Sequence, residues 1–141
     1  MTSALDNLCG PGKSLRQEPP DAAEFDGLKN SGLARLADAG LPANSLEGRF
    51  DLAYNAAHAL SLAALRRLGY RAANRYIVFQ VLPHTLGLGP EVWRVLAKCH
   101  DMRNRGEYEG LLGVNERILT DLISAARAVA DELNTLPAPV P

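Results

Sequence analysis

Cysteine is scarce: Cys9 and Cys99 are the only two in 141 residues, ninety positions apart and without CxxC spacing. Neither a disulfide framework nor a thiolate zinc site is expected, and Cys99, among helical apolar positions, reads as a free thiol packed like a small hydrophobe. The three histidines, His58, His84 and His100, show no HExxH or His/Cys spacing, so no metal and no other cofactor is expected. No apolar run approaches the roughly 18 residues of a membrane span, and no basic, apolar, small-residue leader opens the chain. A cytoplasmic protein without membrane contact is the expectation. Hairpin dipeptides between alternating runs are missing and there is no internal repeat, which argues against β architectures and solenoids.

Charge of one sign is lacking too, with a formal net charge of −1. This gives no global reason to expect nucleic acid, yet the distribution is uneven. From Arg49 to Arg105 nine basic residues face three acids, a surplus of six, and the ends are acidic. A folded chain of this kind presents a basic face.

What is present is apolar residues at helical spacing. With 47% hydrophobic content the chain fits one domain whose core needs no staple. Residues 1–21 mix Gly, Pro and charge and read as an irregular lead-in. Within them Gly10-Pro11-Gly12-Lys13-Ser14 is a turn rather than a phosphate loop, because Asn7 stands where that loop needs its first glycine. Residues 22–136 form the helical body and 137–141 a frayed tail. A first helix runs from Ala22 to about Ala39, with a break expected at Asn30-Ser31-Gly32. A second, opened by an Asn44/Glu47 capping pair, carries Phe50, Tyr54, Ala57, Leu60, Ala64 and Leu65 and ends at Gly69. It is apolar on both sides and so central. Residues 74–82 are rich in strand formers but read as a helix, kinked at Pro83. A fourth helix opens at Pro90 and continues at least to Arg105, and a fifth is capped by Asn115. The fold class is all-α, an antiparallel up-and-down bundle of four to five helices.

The stretch Cys99 to Gly110, CHDMRNRGEYEG, breaks the pattern. At 100° per residue the stripe of Val92, Trp93, Leu96 and Ala97 runs on into His100, Arg103, Asn104, Glu107 and Tyr108. Polar groups thus take the inward face. Three explanations stay open: a helix outrunning its core, with local links such as Arg103–Glu107; a buried polar network fixing register or a dimer interface; or a ligand or RNA cleft. Arg66, Arg67, Arg71 and Arg75 cluster at one helix end, suited to the helix dipole or to phosphate. His58 reads first as a packed imidazole and otherwise as a site residue, and His84 as a ring bonded to a carbonyl freed by Pro83.

The text RFDLAYNAAHALSLAALRRLGYR (Arg49 to Arg71), HTLGL (His84 to Leu88) and RNRGEYEG (Arg103 to Gly110) resembles the HEPN domains (higher eukaryotes and prokaryotes nucleotide-binding), small helical bundles of bacterial toxin–antitoxin and phage-defence systems. Roughly residues 25–135 are covered. The resemblance implies a homodimer in which Arg103 and Asn104 of the two copies line a polar cleft for RNA or nucleotide, or dock a nucleotidyltransferase-type partner. Catalytic members carry a His a few residues after the Arg; here Tyr108 stands in its place. A phenol with an ordinary pKa of about 10 does not exchange protons near neutrality. The reading is therefore a binding protein. The alternatives are a metal-independent ribonuclease toxin using Arg103 and Asn104 with His100 or Tyr108, and an antitoxin or adaptor that docks protein without touching nucleic acid.

Overall fold

The structure, a computed structural model, describes residues 3–109 and 113–139, with the side chains of residues 106–109 outside the described part. Six helices, α1 (Ala22–Ala39), α2 (Leu46–Arg67), α3 (Arg75–Gln80), α4 (Leu82–Thr85), α5 (Pro90–Glu109) and α6 (Glu116–Asn134), build a helical bundle. A two-stranded sheet, β1 (Leu15–Gln17) and β2 (Tyr70–Ala72), is added to it. Among the described residues no helix is long and apolar enough to cross a membrane.

The central position expected for α2 is observed. It packs against α1, α3, α5 and α6 because its alanines at 53, 56, 57, 63 and 64 are buried and let neighbours approach, with Phe50 and Leu60 between them. Its cap is Ser45, whose Oγ accepts from Gly48 N at 3.0 Å, rather than Asn44, whose amide donates to the Asp38 carbonyl. The short hydroxyl reaches the first-turn amide, and Asn44 closes the preceding loop instead.

The expected break in α1 does not occur. Asp21 caps the helix, accepting from Ala23 N and Glu24 N, and it runs unbroken through Gly32. This glycine is needed because α2 lies so close: a Cβ there would sit 2.7 Å from Leu60 Cγ and 3.3 Å from the Ala56 carbonyl. Gly32→Ala is therefore expected to destabilise the fold by about 1–2 kcal/mol, overpacking outweighing the better helix propensity. Gly27, in the same helix, is the control, because a methyl added there would have nothing within 4 Å: Gly27→Ala gains up to about 1 kcal/mol. Thermal unfolding of the two variants reads opposite shifts; equal shifts would contradict the close α1–α2 contact.

The lead-in is more ordered than its composition implies. A 3-10 turn at Asp6–Leu8 precedes β1, which pairs antiparallel with β2 as Leu15 with Ala72, Arg16 with Arg71 and Gln17 with Tyr70. Leu5 and Leu15 are buried with Leu65, Tyr70, Ile77, Val78 and Val81 in a second, smaller core. Gly69, at φ +91, makes this possible by ending α2 in the left-handed region and turning the chain back along β1. Two buried leucines in a Gly- and Pro-rich stretch are too sparse a pattern to read as a strand.

The Tyr76–Phe79 stretch is helical in α3, where Asn74 caps Ile77 N and Ile77, Val78 and Phe79 are buried. Its strand-forming side chains serve packing rather than a ladder. Pro83 does more than kink: α3 stops at Gln80 and α4 begins afresh at Leu82. Asn115 caps α6 as expected, accepting from Ile118 N at 2.9 Å.

Candidate functional site

The described part of the polar stripe of α5 faces protein. His100, Arg103 and Asn104 are half-buried, on the same side as the contacts to α2 and α3. The Asn104 amide lies 3.1 Å from His100 Nε2, and Tyr54 Oη of α2 lies 2.8 Å from Nδ1. With the amide nitrogen donating to Nε2, the imidazole proton sits on Nδ1 and is donated to Tyr54 Oη. The ring is enclosed by aromatic neighbours: Tyr54 stacked at 6.1 Å, Tyr76 at 5.6 Å and Phe79 at 6.4 Å between centroids. The Arg103 guanidinium sits 5.1 Å over the Tyr54 ring, with its Nε 3.4 Å from Asp51 Oδ1. A cation over an aromatic face is both held and oriented.

His58 completes the group from one turn further along α2 than Tyr54, its ring edge-on to Phe79 at 6.2 Å. Burial pushes its pKa down to about 4, helped by the positive charges of Arg75, His100 and Arg103. Burial also lowers His100, opposed by Asp101 and reinforced by Arg75 and Arg103. At neutral pH the site therefore holds uncharged imidazoles beside guanidiniums from α3 and α5. Arg75, exposed, leans on Asn55 with Nη1 3.4 Å from Oδ1.

The four arginines of the α2 end do not act together. Arg66 is buried at 2% exposure and holds Glu24 at 2.5 Å and Glu18 at 3.3 Å; Arg71 pairs with the same two carboxylates. Both are committed to carboxylates and carbonyls of residues 18–24. Arg67 donates to the Pro137 carbonyl, tying down the tail. Of the four, Arg75 is the one whose charge lowers both His58 and His100. Glu107 and Tyr108 have side chains outside the described part. His84 is exposed, and among the described residues its ring bonds no freed carbonyl. Cys99 is buried as expected, its thiol pushed up to about 12 by burial. Among the described residues no group of three or more His, Cys, Asp or Glu side chains is placed to hold a metal ion.

Of the residues the sequence singles out, the structure brings His100, Arg103 and Asn104 together with His58, read first as packing, and with Tyr54, Tyr76, Asn55 and Asp51, which the sequence did not single out for a site. The signal available was Tyr54 and His58, four residues apart on one face of α2. What arrangement they join depends on α3 and α5.

No family model, curated protein or solved structure matches this chain.

Proposed function

We propose that this chain is a HEPN-like binding protein of a bacterial toxin–antitoxin or defence-type system, which takes single-stranded RNA or a nucleotide in the cleft of α2, α3 and α5. The observation carrying this reading is that two guanidiniums from different helices, Arg103 over the Tyr54 ring and Arg75 on Asn55, flank the His100 and His58 group, whose imidazoles are both held neutral. Guanidiniums supply bidentate phosphate contacts, and Tyr76 beside His100 offers ring faces on which a base stacks. A homodimer would double the cleft, and a nucleotidyltransferase-type partner could dock over it.

The neutral imidazoles also favour binding over cleavage. Metal-free RNA cleavage needs one group to accept the 2′-hydroxyl proton and another to donate to the leaving oxygen. A His58 with a pKa of about 4 carries almost no proton to donate at pH 7. Binding is therefore the better reading, and the ribonuclease is the second, favoured by the neighbouring imidazoles themselves.

Fluorescence anisotropy with a short single-stranded RNA in EDTA tests this. Wild type is expected to bind with an affinity that falls as salt rises, and each of Arg75→Ala and Arg103→Ala to weaken it about tenfold or more, flattening the salt slope by about 0.7 per lost contact. Affinity indifferent to both substitutions would contradict the reading. RNA cut in EDTA by wild type but not by His100→Ala would promote the ribonuclease. Stable association with a protein partner, indifferent to salt and to Arg103→Ala, would promote the adaptor.

A further inference from the structure

On another side of α2 an open groove of about 460 Å³ runs between the end of α1, the start of α2 and α6. Arg49, half-buried on the first turn of α2, and Arg127, exposed on α6, both line it, with Ser124, Thr120, Asp131 and Gly40. Arg49 Nε donates to the Ala39 carbonyl at 2.8 Å. That bond leaves the two terminal nitrogens of the same fork to serve the groove. Arg127 reaches over Gly40, its Nη2 only 3.8 Å from where a Cβ on that glycine would stand. The carbonyl end of α1 thus gathers both guanidiniums, but a helix terminus supplies only about half a negative charge.

Arg127 and Asp131 lie one turn apart on α6, the spacing at which such residues pair. Among the described residues, neither Arg49 nor Arg127 has a carboxylate within ion-pair distance. The Ser124 hydroxyl stands beside them; that of Thr120 is already donated to the Glu116 carbonyl. Convergent unpaired guanidiniums with a hydroxyl donor, in a groove of small-ligand size, form a receptor for a doubly charged oxyanion. Asp131 would repel a bare anion, so it selects one that brings its own hydroxyl donor.

We propose that this groove is a second binding site, separate from the α2, α3 and α5 cleft, for a hydroxylated phosphate monoester of the sugar-phosphate class. Arg49, Arg127 and Ser124 hold the phosphate, and Asp131 accepts from a sugar hydroxyl.

Isothermal titration calorimetry of the full chain with ribose 5-phosphate, and separately with inorganic phosphate, tests the site. Saturable binding is expected, tighter for the sugar phosphate. Arg127→Gln, an exposed change that does not disturb the fold, should weaken both ligands about tenfold or more. Arg103→Ala should retain the binding component that Arg127→Gln removes, whatever it loses at the α2, α3 and α5 cleft. Asp131→Asn should narrow the preference for ribose 5-phosphate over phosphate. No saturable binding up to about 10 mM, or binding indifferent to Arg127→Gln, would overturn the proposal. So would an Arg127→Gln variant that loses RNA affinity while ribose 5-phosphate binding is intact, because the groove would then belong to a nucleic-acid path. An unchanged ligand preference in Asp131→Asn would overturn the sugar assignment.

Discussion

Replacing Arg66 with alanine is expected to cost the fold about 3 kcal/mol and to lower the melting temperature by roughly 10 °C. The side chain is the most bulky of those fully buried, and its guanidinium joins separate pieces of chain. Nε meets Glu24 at 2.5 Å, Nη1 donates to the Glu18 carbonyl at 2.9 Å and the Tyr70 carbonyl at 3.2 Å, and Nη2 donates to the Pro19 carbonyl at 2.8 Å. Removing it strands those carbonyls and leaves Glu24 with Arg71, and Glu18 with Arg71 and the exposed Arg16. The cost of breaking a buried pair reaches about 3–5 kcal/mol; the lower end applies because both glutamates are about one-third exposed. Arg66→Lys should recover little, since a single ammonium cannot span this set of acceptors. Chemical denaturation followed by circular dichroism checks both variants. A loss below about 1 kcal/mol for Arg66→Ala would mean that the N-terminal segment is held by its apolar contacts alone.

The second large effect is on acid stability. His58 has its folded pKa pushed down to about 4 from 6.5, so the unfolded chain takes up a proton at a pH where the folded chain refuses it. Stability from this residue is fully present above pH 6.5 and drains away as pH falls towards 4. At 1.36 kcal/mol per pH unit the loss approaches about 3 kcal/mol at the bottom of that window. His100, also lowered, adds a slope of the same sign. Glu18 and Glu24 have folded values below their ordinary 4.5, so their contributions are lost at lower pH than most of this window. The comparison to make is wild type against His58→Gln between pH 7 and 4.5. The variant should show a shallower decline; parallel curves would sink the claim that His58 is buried in neutral form.

The helices were legible because their signal is local: a 3.6-residue period, an Asn115 cap, a Pro90 start and glycines at the ends. What escaped was set by partners distant in sequence. Gly32 looks like a helix breaker until Leu60 is placed against it. Leu15 looks like part of a loop until Tyr70–Ala72 supplies a strand to pair with. Arg66 and Arg71 read as a basic patch because the carboxylates that neutralise them are distant in sequence, Glu18 in a segment that seemed irregular and Glu24 on the first turn of α1. The same holds for the site. His100, Arg103 and Asn104 betrayed themselves as polar residues on an apolar stripe, whereas His58 and Tyr54 sit inside a strongly helical, alanine-rich run and disturb no pattern. The lowered pKa of His58 comes from burial against its neighbours and from Arg75 on α3 and Arg103 on α5.

The chain's three histidines provide the most direct test of the cleft. His58 and His100 lie between α2, α3 and α5, where the cleft is proposed, and His84, exposed on α4, makes none of their ring contacts and serves as an internal reference. A pH titration of the imidazole proton resonances, with and without a short single-stranded RNA, measures all three. A phosphate brought against neutral imidazoles favours their protonated form, so the account predicts that RNA raises the pKa values of His58 and His100 and leaves His84 where it was. RNA that binds while shifting only His84, or no histidine at all, would contradict the placement of the site between α2, α3 and α5.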